Sequence, residues 1–297
     1  MPRVVLVVNP FATRVTEARL AAVEAELARV AEVEVVQTSR PLHAVELVRE
    51  ACAGGCDAIV VFSGDGGFNE ALNGLDRDVP LGFLPGGGTS VFPRALGLPH
   101  DAVAAARRIA EALEEGRTRR ISLGVVNGRR FGFAAGIGLD AEAIRRVDAL
   151  GRSDDGRRPG DLAFALAVVR SLAARRGRLR PALEVRGHGR AALVLVANCS
   201  PYTYASRLSF PVAREARFEL GLDFVAPRGA GPLGLPLVAA AVLSGRVGGS
   251  GVFTGHDLDR IELVCDRPLP LHADGEDLGD VEEAVFEAQR DAVSVLV

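Results

Sequence analysis

Ser63-Gly64-Asp65-Gly66-Gly67-Phe68-Asn69-Glu70 follows the apolar run 58–62 and leads into a helical pattern over 68–75. Pro85-Gly86-Gly87-Gly88-Thr89-Ser90 repeats the arrangement after the apolar run 81–84 and before a short helical stretch at 91–96. Strand, glycine-rich turn and helix, twice over, is how an α/β domain builds a phosphate site. Bare backbone lets oxygens approach, several N–H groups converge, and the helix N-terminus adds partial positive charge. Two such turns point to one nucleotide held from two sides.

Working outward, residues 4–8, 33–36, 58–62 and 81–84 read as buried strands. Helical spacing appears at 16–31, through Leu20, Val23, Leu27 and Val30, and again at 44–53 and 101–115. This β-α-β-α order argues for a mostly parallel sheet covered on both faces. Ligands bind such sheets at the carboxyl ends of the strands. Asn9 ends the first strand, Thr38 the second, Ser63 the third, and the second glycine turn follows the fourth. Four strand ends carrying small polar groups thus meet at one edge.

After residue 119 the texture changes. Strand-like segments fall at 120–126, 130–135, 183–185, 192–197, 217–225, 260–265, 284–287 and 293–297, with the hairpin signal Asn127-Gly128 between two of them. Helical stretches interrupt at 139–150, 161–176 and 232–243, and 152–160 reads as a polar loop. We therefore expect an α/β nucleotide-binding domain over 1–120 and a mainly antiparallel, β-rich substrate domain with helical insertions over 121–287. The chain end, about 288–297, is expected to return to the first domain.

Composition narrows the function classes. A net charge of −3 gives no general drive toward nucleic acid, and 15 aromatic residues with no Trp offer no base-stacking platform. The chain has no lysine. That removes the P-loop and the protein-kinase strand lysine as ways of holding phosphate. Backbone amides, hydroxyls, a metal or arginine must do it instead. Cys52, Cys56, Cys199 and Cys265 lack paired metal-ligand spacing and read as reduced structural thiols of a cytosolic protein. No leader is visible, and no apolar run is long enough to span a bilayer.

Individual residues carry more. A carboxylate beside a triphosphate repels it unless Mg²⁺ lies between, or unless it takes a proton from an attacking hydroxyl. Asp65, the acid among the glycines, is therefore a candidate for either task, although Asp-Gly is also a common turn pair. Glu70 opens a helix, where an acid is favourable anyway. Thr89 suits either a helix cap or a phosphate contact. Near the far end, Leu271-His272-Ala273-Asp274-Gly275-Glu276 sets two carboxylates about a glycine bend. One of them could act as a general base, but the spacing alone equally describes a surface turn. His272 reads by default as a buried or solvated histidine.

Taken together, these residues resemble the diacylglycerol kinase catalytic-domain family, which includes bacterial lipid kinases and the sphingosine kinases. Val8-Asn9-Pro10 is similar to the family's opening N-P. Thr38 with His43-Ala44 resembles its T-x-x-x-x-H-A run, and residues 64–70 resemble G-D-G-T-x-N-E. Residues 85–99 are similar to P-x-G-T-x-N-x-F-A-R-x-L-G-x-P. Gly136-Ile137-Gly138-Leu139-Asp140-Ala141, then Asn198 with Tyr202, then Asp274-Gly275-Glu276 match G-x-G-F-D-A, A-N-x-x-x-Y and D-G-E.

The resemblance implies an NAD-kinase-like first domain, a β-sandwich-like second domain and a cleft between them. It implies transfer of the γ-phosphoryl group of Mg-ATP to a lipid hydroxyl, most simply that of diacylglycerol, giving phosphatidic acid. Asn9, Thr38, Ser63, Gly64, Asp65, Gly66, Gly67, Asn69, Gly87, Gly88 and Thr89 would bind ATP, with Asp65 at the phosphates or Mg²⁺. Asp274 or Glu276 would supply the base. The rivals are an NAD kinase, which shares the G-D-G turn, a sphingoid-base kinase, and a non-catalytic nucleotide-binding regulator. The implied setting is the cytoplasm, with peripheral association at the inner face of the membrane; a homodimer is left open.

Three departures stand out. Gly67 replaces a threonine, removing a hydroxyl. Ser90-Val91 and Pro93 replace Ala-Asn and alanine in the second turn. Glu219-Leu220-Gly221-Leu222-Asp223 replaces a D-D-G-x-x-D run that holds a structural Mg²⁺ in some bacterial members, and Leu220 cannot ligate a metal. Between residues 141 and 180, ten arginines face five acids, a local net of +5 suited to docking on an anionic bilayer, and equally to a solvated helix end.

Overall fold

The computed structural model describes residues 1–151, 161–205, 208–247 and 251–297. The chain divides into unit 1, residues 1–122 with 291–297, and unit 2, residues 123–290. The 152–160 stretch, expected as a polar loop, lies outside the described residues.

Unit 1 runs β1 (Arg3–Val8), α1 (Glu17–Leu27), β2 (Glu32–Gln37), α2 (His43–Ala53), β3 (Ala58–Ser63), α3 (Asp65–Gly74), β4 (Leu81–Pro85), α4 (Val91–Ala95) and α5 (Ala102–Glu114). Its strands lie in the order β4-β3-β1-β2, all parallel. β3 and β4 are buried at every position, as their unbroken apolar runs require of a sheet covered on both faces. Thr16 and Asp101 cap α1 and α5 through bonds to Arg19 N and Ala104 N. Phe68, Phe83 and Phe92 stack edge to face, with centroids 5.3 and 4.8 Å apart, and join α3 and α4 to β4. At the chain end Val295 pairs in parallel with Leu81, extending this sheet.

One boundary differs from the expected one in a way that matters. α3 begins at Asp65, not Phe68, so Asp65, Gly66 and Gly67 form the first helical turn and Gly64 the cap. The first glycine turn is in fact a helix N-terminus.

β5 (Arg119–Val126) carries the chain into unit 2, which continues with β6 (Arg129–Phe131), β7 (Ala134–Ile137), α6 (Leu139–Asp148), α7 (Asp161–Ala174), β8 (Leu183–Val185), β9 (Gly189–Ala191), β10 (Val194–Ala197), β11 (Thr203–Ala205), β12 (Leu208–Phe210), β13 (Leu222–Pro227), α8 (Leu235–Ser244), β14 (Val252–Leu258), β15 (Arg260–Ala273) and β16 (Glu276–Val295). The main strands run β14-β13-β10-β7-β15-β16, antiparallel throughout. Phe131, Phe224, Phe286 and Leu263 are among the side chains of its core.

The expected strand at 217–225 forms only from Leu222, while β14 and the β11–β12 hairpin were not anticipated. All four cysteines are buried, and none forms a disulfide among the described residues. Among the described residues no helix is long and apolar enough to cross a membrane.

Candidate functional site

Each unit gathers one set of the motif residues. In unit 1 the two glycine segments touch directly, because β3 and β4 are neighbours. Gly86 N–H donates to Ser63 O at 2.7 Å, and a Cβ on Gly87 would stand 2.9 Å from Gly64 Cα. Backbone packs on backbone here, so Gly87 cannot carry a side chain without displacing Gly64.

Asp65 ties the segments together. Its two carboxylate oxygens accept the N–H groups of Val91 (3.0 Å) and Phe92 (3.1 Å), capping α4 from another helix. The residue at the cap position, Ser90, makes no side-chain cap bond, and Thr89 does not cap either. Glu70 does the same for α2, accepting from Leu42 N (3.0 Å) and Ala44 N (3.2 Å). Both acids of the first motif therefore close helix N-termini.

What faces outward at the β3 end is mostly backbone. The first turn of a helix leaves its N–H groups without intrahelical acceptors; here these include Gly66 and Gly67. Beside them the Ser63 hydroxyl is buried and has no hydrogen-bond partner among the described residues. A Cβ on Gly67 would lie 2.1 Å from Ser63 Oγ and 2.7 Å from Ser63 Cβ. The Ser63 side chain thus fills the space that a threonine at position 67 would need. The hydroxyl missing from residue 67 is present, carried by residue 63.

Asn9 and Thr38 stand at the neighbouring strand ends, their N–H groups donating to Phe62 O and Val8 O. Asn69 is fully buried and bonded to Asn73. Gly88 is exposed and Thr89 half-buried. Arg14, which was not singled out from the sequence, donates its N–H to Gly86 O at 2.8 Å. Its place shortly after Asn9-Pro10 was the available signal.

In unit 2 the D-G-E stretch is the hairpin turn between β15 and β16, with Ala273 paired to Glu276. Asp274 (φ 49°) and Gly275 (φ 80°) are both left-handed, the requirement of a two-residue type I′ turn and the reason for Asp-Gly. Asp274 is buried, and its carboxylate accepts the N–H groups of Gly132 (2.6 Å), Phe133 (2.9 Å) and Ala134 (3.2 Å). Asn198 grips the same segment through Nδ2 to Gly132 O at 2.8 Å. Glu276 follows the turn, half-buried.

Three further motif residues form one cluster. Asp140 Oδ2 accepts from Tyr202 OH and from His272 Nε2, each at 2.8 Å, and the phenol lies 3.2 Å from His272 Nε2. Gly136 makes the room: a Cβ there would stand 2.8 Å from His272 Nε2 and 3.2 Å from Tyr202 OH. Burial pushes the Asp140 carboxyl up, but the His272 imidazole and the Tyr202 hydroxyl together hold it below the usual carboxylate range. Burial, reinforced by Asp140, pushes the Tyr202 phenol well above its ordinary value. The result is an ionised Asp140 17% exposed, backed by a Tyr202 that keeps its proton. His272, given no role from the sequence, belongs here because Asp140 and Gly136 of one motif and Tyr202 of another meet it.

The 219–223 run does not fit a metal. Asp223 is buried, and its oxygens accept from His256 Nδ1 (2.9 and 3.0 Å) and Asp257 N (3.0 Å). Asp257 in turn accepts from Gly221 N and pairs with Arg290. The His256 imidazole and the Arg290 guanidinium already engage these carboxylates, and among the described residues no set of three acidic, His or Cys groups is arranged to hold a metal.

Comparison with known proteins bears on both units. Residues 3–126 match the profile of the diacylglycerol kinase catalytic domain. A Streptococcus pneumoniae protein named "Putative lipid kinase" is 34% identical over 143 residues, and a Bacillus subtilis diacylglycerol kinase is 39% identical over 98. These stretches cover 47% and 32% of this chain but only 46% and 31% of those relatives, less than half of each. In three dimensions a "putative diacylglycerol kinase" from Bacillus anthracis superposes with a TM-score of 0.78 at 21% identity, covering 99% of this chain and 95% of that one. An ATP-complexed NAD kinase from Archaeoglobus fulgidus shares the fold more distantly, with a TM-score of 0.51 at 16% identity over 99% of this chain and 93% of that one. Over residues 3–126, then, the chain matches the diacylglycerol kinase catalytic domain, and over nearly its whole length it shares the fold of the Bacillus anthracis "putative diacylglycerol kinase".

Proposed function

We propose that the chain is an ATP-dependent lipid kinase that moves the γ-phosphoryl group of ATP to the hydroxyl of diacylglycerol, giving phosphatidic acid and ADP. The observation that carries this is the Ser63–Gly67 arrangement at the β3 end: outward N–H groups beside a buried hydroxyl without a partner. Phosphate oxygens would satisfy both.

In this reading Gly66 and Gly67 N–H and the Ser63 hydroxyl donate to phosphate oxygens, with Asn9, Thr38, Gly64, Asn69, Gly87, Gly88 and Thr89 around them. Asp65 holds the two glycine segments in register. Asp65 would be the group to meet the Mg²⁺ that accompanies ATP, which would neutralise phosphate charge, although both its oxygens already accept backbone N–H groups. Glu276 is the base. It takes the hydroxyl proton as the lipid oxygen bonds to the γ-phosphorus and the bond to ADP breaks. Asp274, engaged by three N–H groups, is the clamp that sets Glu276. Asp140, kept ionised, accepts a hydrogen bond from the acceptor's polar head. The acceptor is a lipid and the donor ATP, so the work is assigned to the cytoplasmic surface of a membrane.

Labelled ATP offered with dioctanoylglycerol in detergent, with sphingosine and with NAD separates the readings. The expected product is labelled dioctanoylphosphatidic acid. Label in NAD or sphingosine alone, or in no acceptor, overturns the proposal.

A further inference from the structure

In unit 2 a cavity of about 550 Å³ opens where α7 ends. Its wall carries Arg175, Arg176, Arg178, Arg180 and Arg267 against one acid, Asp266. Two of these charges are already matched, Arg175 by Glu142 and Asp266 by Arg190. Arg176, Arg178, Arg180 and Arg267 have no acidic partner and no side-chain hydrogen bond among the described residues. Like charges gathered about one cavity repel, and an anion inside it reverses the sign of that energy. Guanidinium forks fit phosphate oxygens two at a time.

The backbone holds the arginines there. Arg176 (φ 51°) and Gly177 (φ 66°) are both left-handed, and bonds from Arg176 N to Ala173 O (2.9 Å) and from Gly177 N to Leu172 O (2.8 Å) end α7 abruptly. A left-handed arginine is an uncommon conformation. Leu179 then exchanges two hydrogen bonds with Ala230, at 2.8 and 3.0 Å.

That pairing brings an apolar surface alongside. A Cβ on Gly177 would lie 3.4 Å from Pro232 Cβ. The next residue, Leu233, is 98% exposed, and Leu237 is 68% exposed. α8 itself, Leu-Pro-Leu-Val-Ala-Ala-Ala-Val-Leu-Ser, carries no charge. Projecting leucines beside unneutralised arginines complement an anionic bilayer, apolar groups at the acyl boundary and cations at headgroup depth.

We infer that this arginine cavity binds the phosphate of an anionic phospholipid headgroup, separately from the acceptor hydroxyl, while Leu233 and Leu237 enter the same leaflet. The inference rests on the lipid-kinase reading only in taking a membrane as the place of work.

The test is sedimentation of the full chain with phosphatidylcholine vesicles, with and without phosphatidylglycerol, at fixed ionic strength. Arg176→Gln/Arg178→Gln/Arg180→Gln is compared with Arg49→Gln/Arg77→Gln/Arg217→Gln, three exposed arginines outside the cavity. The expected result is phosphatidylglycerol-dependent binding that falls about fivefold per cavity arginine, on the order of 100-fold for three, with only a few-fold loss in the control set. Equal losses in both sets overturn the site in favour of diffuse charge. Protection of the wild type against thermal unfolding by inorganic phosphate, abolished in the cavity variant and without any vesicle preference, overturns the lipid as its source. Urea midpoints of both variants confirm folding. Transfer to dioctanoylglycerol in detergent involves no vesicle, so failure of the kinase reading and failure of this site are seen separately.

Discussion

The two units place acids at glycine bends and use them in opposite ways. In unit 1 both acids of the first motif are spent on architecture, Asp65 capping α4 and Glu70 capping α2. The groups left to meet a ligand are backbone N–H groups and uncharged side chains, the Ser63 hydroxyl among them. In unit 2 Asp274 is spent this way, on the 132–134 backbone. Asp140 is held in a side-chain network with Tyr202 and His272, and Glu276 follows the turn. The difference teaches that an acid in a glycine-rich motif is not a chemical group by virtue of the motif. What its oxygens already accept decides its role.

The sharpest break of this comparison is the pair Glu276→Gln and Asp274→Ala. Loss of a general base costs about 10²–10⁴ in rate, so Glu276→Gln should lose that much kcat and keep the wild-type urea midpoint. Asp274→Ala strands three buried N–H groups, costing roughly 3–9 kcal/mol at about 1–3 kcal/mol per unsatisfied group, and should show first as a lowered urea midpoint. If Glu276→Gln unfolds the chain and Asp274→Ala merely slows it, the assignments are reversed. Next in size is the β3 end. Gly67→Thr drives a Cβ into Ser63 and should cost about 1–3 kcal/mol as an overpacking change. Rotation of the Ser63 hydroxyl cannot relieve it, because Ser63 Cβ is in the way too. Ser63→Gly/Gly67→Thr should recover both stability and ATP affinity, read by urea melts and nucleotide titration. A double variant no better than the single one means that Ser63 does not substitute for the threonine.

The smallest effect lies at His256, where the bond to Asp223 raises the imidazole pKa. A raised folded pKa means stability that is fully present below the unfolded value of about 6.5 and lost as pH rises through the folded one. The urea midpoint should therefore decline modestly from pH 6 upward in the wild type, and His256→Gln should flatten that decline. An unchanged profile in the variant removes His256 as its source.

Much of the fold was legible because unit 1 is made of signals with one meaning. Uninterrupted apolar runs such as 58–62 can hardly be anything but buried parallel strands, and 3.6-residue spacing marks α1 and α5. Unit 2 hid its strands behind residues that argue against them. β14 contains Gly255 and the polar pair His256-Asp257, yet Gly255 is needed there, since a Cβ would strike the Phe224 ring at 2.4 Å. β15 runs through Pro268 and Pro270, with register shifts on either side of the paired Leu269 and Pro270. The motif positions of the site could be read, but not their partners. No sequence pattern says that Ser63 occupies the space of a side chain at 67, or that a lone histidine four residues before a glutamate meets Asp140 across β7.

The Asp274-Gly275 turn imposes two requirements on a single residue. Position 274 must accept a left-handed backbone, which asparagine does as well as aspartate, and it must present a short anion to three N–H groups, which asparagine cannot. Glutamate has the charge but not the reach or the conformational ease. Of the twenty side chains one meets both demands, so a saturation scan should find position 274 intolerant even in a selection that asks only for folded protein. Its immutability would then report architecture, and a scan read without the structure would mistake it for catalysis.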